Sequence, residues 1–357
     1  MPLASAILKQ RRAQPFVARQ PWVYAGLIDK IEGAPADGDE IQLLSSSSLF
    51  IARGLYNSQS KISIRLFSWE DRPLDRDFFR DRLARAIALR ELLGLRGAER
   101  GCRLVCSEGD SLPGLTVDEY AGWLTVQFTS LALANRREMF ADILVELLSP
   151  KGIYIRTEKG IGKLEGLTLT DGVLRGETPP SEVVLVENGV SFYVNLAEGQ
   201  KTGFYHDQRD NRQAVARFAK GKRMLDLFSY TGGFGLHAAK AGASSVECVD
   251  VSAPALALGM RNAERNGLLQ MTFTKSDVFR FLERAVEAGR KCDLIVLDPP
   301  ANFRQDVDEI EHSLVLGLVA HAAKLGVVAI LLPPARIDAD GLQVAAWIGA
   351  DPDVAPG

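Results

Sequence analysis

Cysteine is scarce: Cys102, Cys106, Cys248 and Cys292 are the only four in 357 residues. Cysteines so few and so scattered exclude a disulfide scaffold and read as small core residues in a reducing compartment. Cys102 and Cys106 lack a second ligand pair, so no metal site is expected. An excess of one charge is also missing. The net charge of −3 argues neither for nor against nucleic acid, because distribution counts more than the sum. Residues 1–8 form too short an apolar run for a signal peptide. The long apolar stretch from Leu314 to Pro334 is broken by His321, Lys324 and Gly326, which fits a helix and a buried strand rather than a membrane span. The expected location is the cytoplasm, with no membrane partner. Repeats and low-complexity tracts are absent. No Gly-x-Gly-x-x-Gly follows the main strand pattern, which disfavours a dinucleotide enzyme. Apolar content of 46% with 24% charged residues excludes wholesale disorder.

What is present centres on 224–235, Met-Leu-Asp-Leu-Phe-Ser-Tyr-Thr-Gly-Gly-Phe-Gly. An apolar run carrying Asp226 passes through Phe228, Ser229, Tyr230, Thr231, Gly232 and Gly233 into a helical pattern at His237 to Lys240. This is the strand, glycine turn and helix that open a nucleotide-binding α/β sheet. Glycine allows close backbone approach, and the helix start offers N–H groups to an anion. An acid at the strand end suits a ligand with a positively charged amino group, such as S-adenosylmethionine. Three further acids follow successive apolar strands: Asp250 about 20 residues on, with Val251 and Ser252 after it, then Asp277 with Val278, then Asp298 with Pro299 and Pro300. Any one could be a helix cap or turn former. Four at successive strand ends are better explained by the ligand edge of an open sheet.

Before this lies a β-rich module over residues 6 to about 68. Lys9, Arg11, Arg12 and Arg19 precede Pro21-Trp22-Val23-Tyr24, a pattern that suits an RNA backbone and unstacked bases; the alternative is that the aromatics fill a small barrel core. Residues 72 to about 92 read as an arginine-studded helix whose solvated face pairs with its own acids. Residues 101–170 read as an α+β middle domain with one helix near 136–148. The polar segment 199–212, Gly-Gln-Lys-Thr-Gly-Phe-Tyr-His-Asp-Gln-Arg-Asp-Asn-Arg, is too dense in charge and turn chemistry for a linker and reads as functional.

Taken with Ser107-Glu108-Gly109-Asp110-Ser111-Leu112-Pro113-Gly114-Leu115-Thr116-Val117-Asp118, these motifs resemble the bacterial ribosomal RNA large subunit methyltransferase I family over roughly residues 6–300. The resemblance implies a PUA-like RNA-binding domain at 1–70, an α+β middle domain at 71–180 and a Rossmann-like class I methyltransferase domain at 181–357. It also implies methylation of ribosomal RNA at cytosine C5 with S-adenosylmethionine. The implied cofactor residues are Lys201, Thr202, Asp226, Phe228, Ser229, Tyr230, Thr231, Gly232, Gly233, Asp250, Val251, Ser252, Asp277, Val278 and Asp298. Asp298, Pro299 and Pro300 would meet the target base, and Lys9, Arg11, Arg12, Trp22 and Arg209 the RNA. A homodimer is left open.

The sequence departs from the family after Pro300. C5 chemistry needs a thiolate, which the family carries just after the next strand in a Ser-Cys-Ser-like segment. Here the strand 327–332 runs into Pro333-Pro334-Ala335-Arg336 with no cysteine. A truncated or altered C-terminal part with an open sheet edge is therefore expected. Two alternatives follow: an RNA methyltransferase needing no thiol, for instance at guanine N7, and an impaired protein that binds RNA and cofactor only.

Overall fold

The computed structural model describes residues 3–158, 160–197, 199, 202–299, 328–331 and 346–348. Two compact units emerge: residues 1–185 with 194–206, and residues 186–193 with 207–357.

The first unit opens with β1 (Ala4–Leu8), α1 (Gln14–Val17), β2 (Trp22–Tyr24), β3 (Ile28–Glu32), β4 (Glu40–Leu44), β5 (Phe50–Tyr56) and β6 (Ile62–Ser68). These strands form one sheet in the order β2-β6-β5-β4-β1-β3, with β1 and β4 parallel. In β4, Ile41 and Leu43 are buried while Glu40, Gln42 and Leu44 are half-buried, the period-two alternation of a strand with one face on a core. That core gathers Ala6, Leu8, Phe16, Val23, Ile64 and Leu66.

Helix α2 (Arg76–Leu92) follows. It starts four residues later than the charge pattern suggests. Pro73 disfavours helix before it, and Asp75 caps the start by accepting the Phe78 N–H at 2.9 Å. Next come β7 (Gly101–Cys106), β8 (Leu115–Tyr120), β9 (Trp123–Phe128), α3 (Leu131–Ala134), α4 (Arg137–Leu148), β10 (Gly152–Ile155), α5 (Ile161–Glu165) and β11 (Gly172–Gly176). Their sheet runs β11-β10-β9-β8-β7, and Phe79, Phe140, Leu104 and Val126 share its core. A two-stranded sheet of β12 (Val183–Glu187) and β13 (Val190–Val194) leads onward.

The second unit contains α6 (Arg209–Ala216), β14 (Arg223–Leu227), α7 (Gly233–Lys240), β15 (Ser245–Asp250), α8 (Ala253–Arg265), β16 (Met271–Lys275), α9 (Val278–Glu287), β17 (Leu294–Leu297), β18 (Val328–Leu331) and β19 (Ala346–Ile348). Strand order is β16-β15-β14-β17-β18-β19. The first five strands are parallel and β19 is antiparallel to β18, so β19 lines the edge that the sequence left open there. The winding reverses between β14 and β17, the switch point beside which open α/β sheets bind ligands at their carboxyl edge. The β14 and β17 residues are near-continuously apolar, as a sheet covered on both faces demands. On α9, Val278, Phe281, Leu282 and Ala285 are buried, a helical spacing that seals one face of the sheet. Among the described residues no helix is long and apolar enough to cross a membrane.

Candidate cofactor site at the carboxyl edge of the parallel sheet

Asp226 sits one residue before the end of β14 and is 1% exposed. The loop after it is held in an unusual conformation. Phe228, Tyr230 and Gly232 alternate through the left-handed region at φ of 58°, 51° and 76°. Two of the three are not glycine, a strain of about 1–3 kcal/mol each that persists where surroundings enforce it. The enforcing bonds are visible. Ser229 N–H donates to the Val249 carbonyl at 3.1 Å and Gly232 N–H to the Ser229 carbonyl at 2.8 Å. Tyr230 N–H donates to Asp250 Oδ2 at 2.8 Å.

Gly235, in the first turn of α7, donates its N–H to Asp226 Oδ2 at 2.8 Å. A Cβ there would meet Cys248 Sγ at 2.7 Å and that carboxylate oxygen at 3.2 Å. Glycine is what lets α7 pack onto β14 and β15 this closely. Asp250 ends β15, and its other oxygen accepts the Ser252 N–H at 2.8 Å. Ser252 in turn caps α8 through the Ala255 N–H at 3.3 Å. Val251 between them is 62% exposed, an apolar side chain beside a polar rim.

Burial pushes the Asp226 carboxyl up to about 8, and repulsion from Asp298 and Asp250 adds to it against the Gly235 hydrogen bond. A buried carboxyl facing two more acids is costly to ionise without a cation. An ammonium group placed there relieves that cost. The Ser229 hydroxyl is buried with no partner beyond the Cys248 thiol beside it, a further polar atom available to a ligand. The first turn of α7 supplies N–H groups suited to a carboxylate. A ligand pairing ammonium with carboxylate, followed by a ribose and an apolar base face, fits this donor and acceptor set.

Asp298 follows β17 and accepts from Gln208 Nε2 at 3.2 Å. Gln208 is 6% exposed, and its amide oxygen accepts from Asn211 Nδ2 at 2.7 Å. Gln208 and Asn211 were not singled out individually by the sequence; only the density of polar residues in 199–212 pointed at them. The buried pair of Arg212 and Glu187, bidentate at 2.7 and 2.9 Å, was likewise invisible. It fixes α6 beside the glycine turn, where a Cβ on Gly233 would meet Arg212 Cδ at 3.2 Å.

Asp277 ends the β16 segment on the same edge and is exposed, but one oxygen caps α9 through the Arg280 N–H at 3.1 Å. Val278 is 1% exposed in the sheet core, so only its backbone can face a ligand. Phe228 also packs against that core, and Thr231 is 6% exposed. Pro299 is buried; Pro300 and Lys201 lie outside the described residues. Thr202 belongs to the first unit, fully buried, with its hydroxyl bonded to Asp118 and 3.1 Å from the Tyr120 hydroxyl. Lys9, Arg11 and Arg12 are exposed in the first unit, with Lys9 donating to the Gly26 carbonyl at 2.8 Å. Trp22 is half-buried and donates to Glu108 at 3.0 Å. Tyr24 is 41% exposed and Val23 fills the core, so the core alternative fails for the tyrosine. Arg209 opens α6 in the second unit.

Residues 172–314 match the family model of an S-adenosylmethionine-dependent methyltransferase, and residues 6–69 that of a PUA-like domain. A protein named ribosomal RNA large subunit methyltransferase I from Aeromonas salmonicida is 42% identical over 296 residues, 82% of this chain and 75% of that one. The protein of the same name from Photobacterium profundum is 40% identical over 300 residues, covering 83% and 76%. Among solved structures, a putative SAM-dependent methyltransferase from Streptococcus mutans aligns with a TM-score of 0.78 at 23% identity, over 92% of this chain and 85% of that one. A putative methyltransferase complexed with SAH aligns at 0.77 and 22%, over 92% and 86%. At those identities the structural likeness is one of fold. The doubly wound sheet with its acid-lined edge is thus that of an S-adenosylmethionine-dependent methyltransferase. The chain belongs to the ribosomal RNA large subunit methyltransferase I family.

Proposed function

We propose that the chain transfers the methyl group of S-adenosylmethionine to a base of large-subunit ribosomal RNA. The observation that carries this reading is the buried Asp226 carboxyl, about 8 in pKa and facing Asp298 and Asp250, because a cationic methyl donor satisfies it. In this reading Asp226 and residues 228–233 hold the methionine part. Asp250, Val251 and Ser252 hold the ribose, and Asp277 and Val278 the adenine. Asp298, kept in place by Gln208, meets the target base with Pro299 and Pro300. Residues 1–70 and 71–180 present the RNA through Lys9, Arg11, Arg12 and Trp22, with Arg209 contributing from the domain at 181–357. The protein works in the cytoplasm, and a homodimer is the assembly to be sought by light scattering.

The target atom is contested by two observations. Membership of the family supports cytosine C5, which requires a thiolate to add at C6. The cysteines support a base that carries its own nucleophile, such as guanine N7. Cys248 is fully buried and its thiol is pushed well up, by burial first and then by Asp226. Cys292 is buried in the sheet core and pushed up to about 11 by burial, and Cys102 and Cys106 belong to β7 of the first unit. Low thiolate content makes Cys248 and Cys292 poor nucleophiles. Incubation with labelled S-adenosylmethionine and unmodified ribosomal RNA, followed by nucleoside identification, decides. Methylcytosine supports C5 and methylguanine the alternative. No label in RNA despite cofactor binding would overturn the enzymatic reading.

A further inference from the structure

A cleft in the first unit collects arginines that the cofactor site does not use. It encloses about 150 Å³ between the end of α1, the end of β6 and the start of α2. Arg19, Arg72, Arg82 and Arg85 line it, against only two acids, Glu70 and Asp81. The other arginines of α2 behave differently. Arg76 and Arg80 both pair with Glu146 of α4, at 2.7 and 2.6 Å, rather than with the acids of their own helix that the sequence pattern offered. Within the cleft, the described ion pairing is one long contact between Arg72 and Asp81 at 3.9 Å.

Aromatic faces hold the guanidinium groups instead. Arg72 and Arg82 lie over Phe78 at 4.8 and 5.2 Å, and Arg19 over Trp69 at 6.0 Å. Trp69 is itself anchored by donating to the Phe16 carbonyl at 2.5 Å. Stacking of this kind orients a guanidinium while leaving its N–H edge available. Arg82 makes one long bond, to the Phe67 carbonyl at 3.4 Å. Burial lowers its pKa, and Arg85, Arg72 and Arg19 lower it further by repulsion, with Glu70 working the other way. Arg19 also has a left-handed backbone, φ 68°, at the position after α1 where glycine is the usual choice. A side chain is retained there against that preference.

We propose that this cleft is an oxyanion site that takes a backbone phosphodiester of the RNA. Its volume equals that of about five waters, enough for one phosphate group. Planar forks on a fixed scaffold match phosphate oxygens. The inference rests on the RNA-methylating reading above and adds a contact to it within the first unit.

The test is fluorescence anisotropy of the full chain with a labelled single-stranded fragment of large-subunit ribosomal RNA, across a salt series. Arg19 and Arg85 are exposed, so R19Q/R85Q is the first variant, checked by thermal melting; R85Q alone carries the same test if the pair melts early. Binding is expected to weaken about tenfold, with the salt slope falling by about one. R76Q/R80Q, which removes arginines that lie outside the cleft and share Glu146 as partner, is expected to come close to wild type. R82K keeps the charge but loses the fork and is expected to weaken binding by a smaller factor. Inorganic phosphate is the competitor, expected to displace RNA from wild type more readily than from R19Q/R85Q. A wild-type salt slope left unchanged in R19Q/R85Q overturns the inference and leaves the RNA reading standing. Phosphate binding without any change in RNA slope assigns the cleft to a free anion and overturns it too. A wild type with no salt-dependent RNA binding overturns the parent reading itself.

Discussion

The N–H of Gly235 donates to Asp226 Oδ2 at 2.8 Å, and a Cβ on Gly235 would stand 3.2 Å from that same oxygen. One helix position therefore both holds the buried carboxyl and leaves it room.

Replacing Gly235 with alanine sets two effects against each other. Helix propensity favours alanine by about 1 kcal/mol. Overpacking against Cys248 Sγ, 2.7 Å away, costs about 1–3 kcal/mol. The expected outcome is a small loss of stability but a loss of cofactor affinity of at least about tenfold, since the carboxyl must move. Calorimetry with S-adenosylmethionine checks this. C248A placed in the same chain removes the clashing sulfur and should restore most of the affinity.

Asp226 also sets a pH dependence of stability. Its carboxyl titrates near 3.8 in the unfolded chain and at about 8 in the fold. Between those values the native state holds a proton that the unfolded state has released. The contribution is therefore full below the unfolded pKa and is lost as pH rises through about 8. D226N titrates in neither state. Its melting temperature relative to wild type should rise steadily with pH across that window, by the equivalent of a few kcal/mol. A difference that stays flat with pH would mean that Asp226 is ionised throughout.

The same proton should appear in binding. An ammonium group against Asp226 favours the carboxylate, so near neutral pH cofactor binding should release close to one proton. Binding enthalpies in buffers of different ionisation enthalpy measure it. D226N should release none, and D226A should bind the cofactor too weakly to measure; unchanged affinity in D226A would remove Asp226 from the site.

How much of this was legible in the sequence follows from what kind of force sets each feature. The β14, glycine turn and α7 unit was readable because an acid, two adjacent glycines and an apolar run are all local signals. The left-handed backbone at Phe228 and Tyr230 was not, because neither residue type prefers it and the bonds from Asp250 and Val249 impose it from another strand. Asp277 carries both meanings at once: it stands at a strand end, as the pattern required, and caps a helix, as its residue type suggests. Gln208 reaching Asp298 across 90 residues has no spacing rule behind it. Thr202 bonded with Asp118 and Tyr120 joins two motifs that the sequence had flagged separately. Lys201 and Pro300 lie outside the described residues, so the structure adds nothing to either.

A second buried ion pair, in the first unit, has no local signal behind it either. Arg65 on β6 meets Glu165 at the end of α5 through two bonds of 2.8 Å, with both side chains under one-tenth exposed. Ser60 donates to the same carboxylate at 2.6 Å, and Asn57 donates to it at 3.3 Å. With so many donors the carboxylate is well satisfied, yet the pair as a whole has given up its hydration. Removing one charge is therefore far worse than removing both. E165Q should cost about 3–5 kcal/mol, because the Arg65 charge is left buried without its partner. The joint replacement R65M/E165L should be close to neutral after repacking, apart from the Ser60 hydroxyl it strands at about 1–3 kcal/mol; Asn57 keeps its bond to the backbone carbonyl of position 165 at 3.0 Å. Adding S60A to that pair removes the hydroxyl and should recover stability. Urea unfolding of the four proteins checks the order, with E165Q the least stable. If R65M/E165L proves less stable than E165Q, the ion pair contributes net stability to the first unit rather than offsetting its own desolvation.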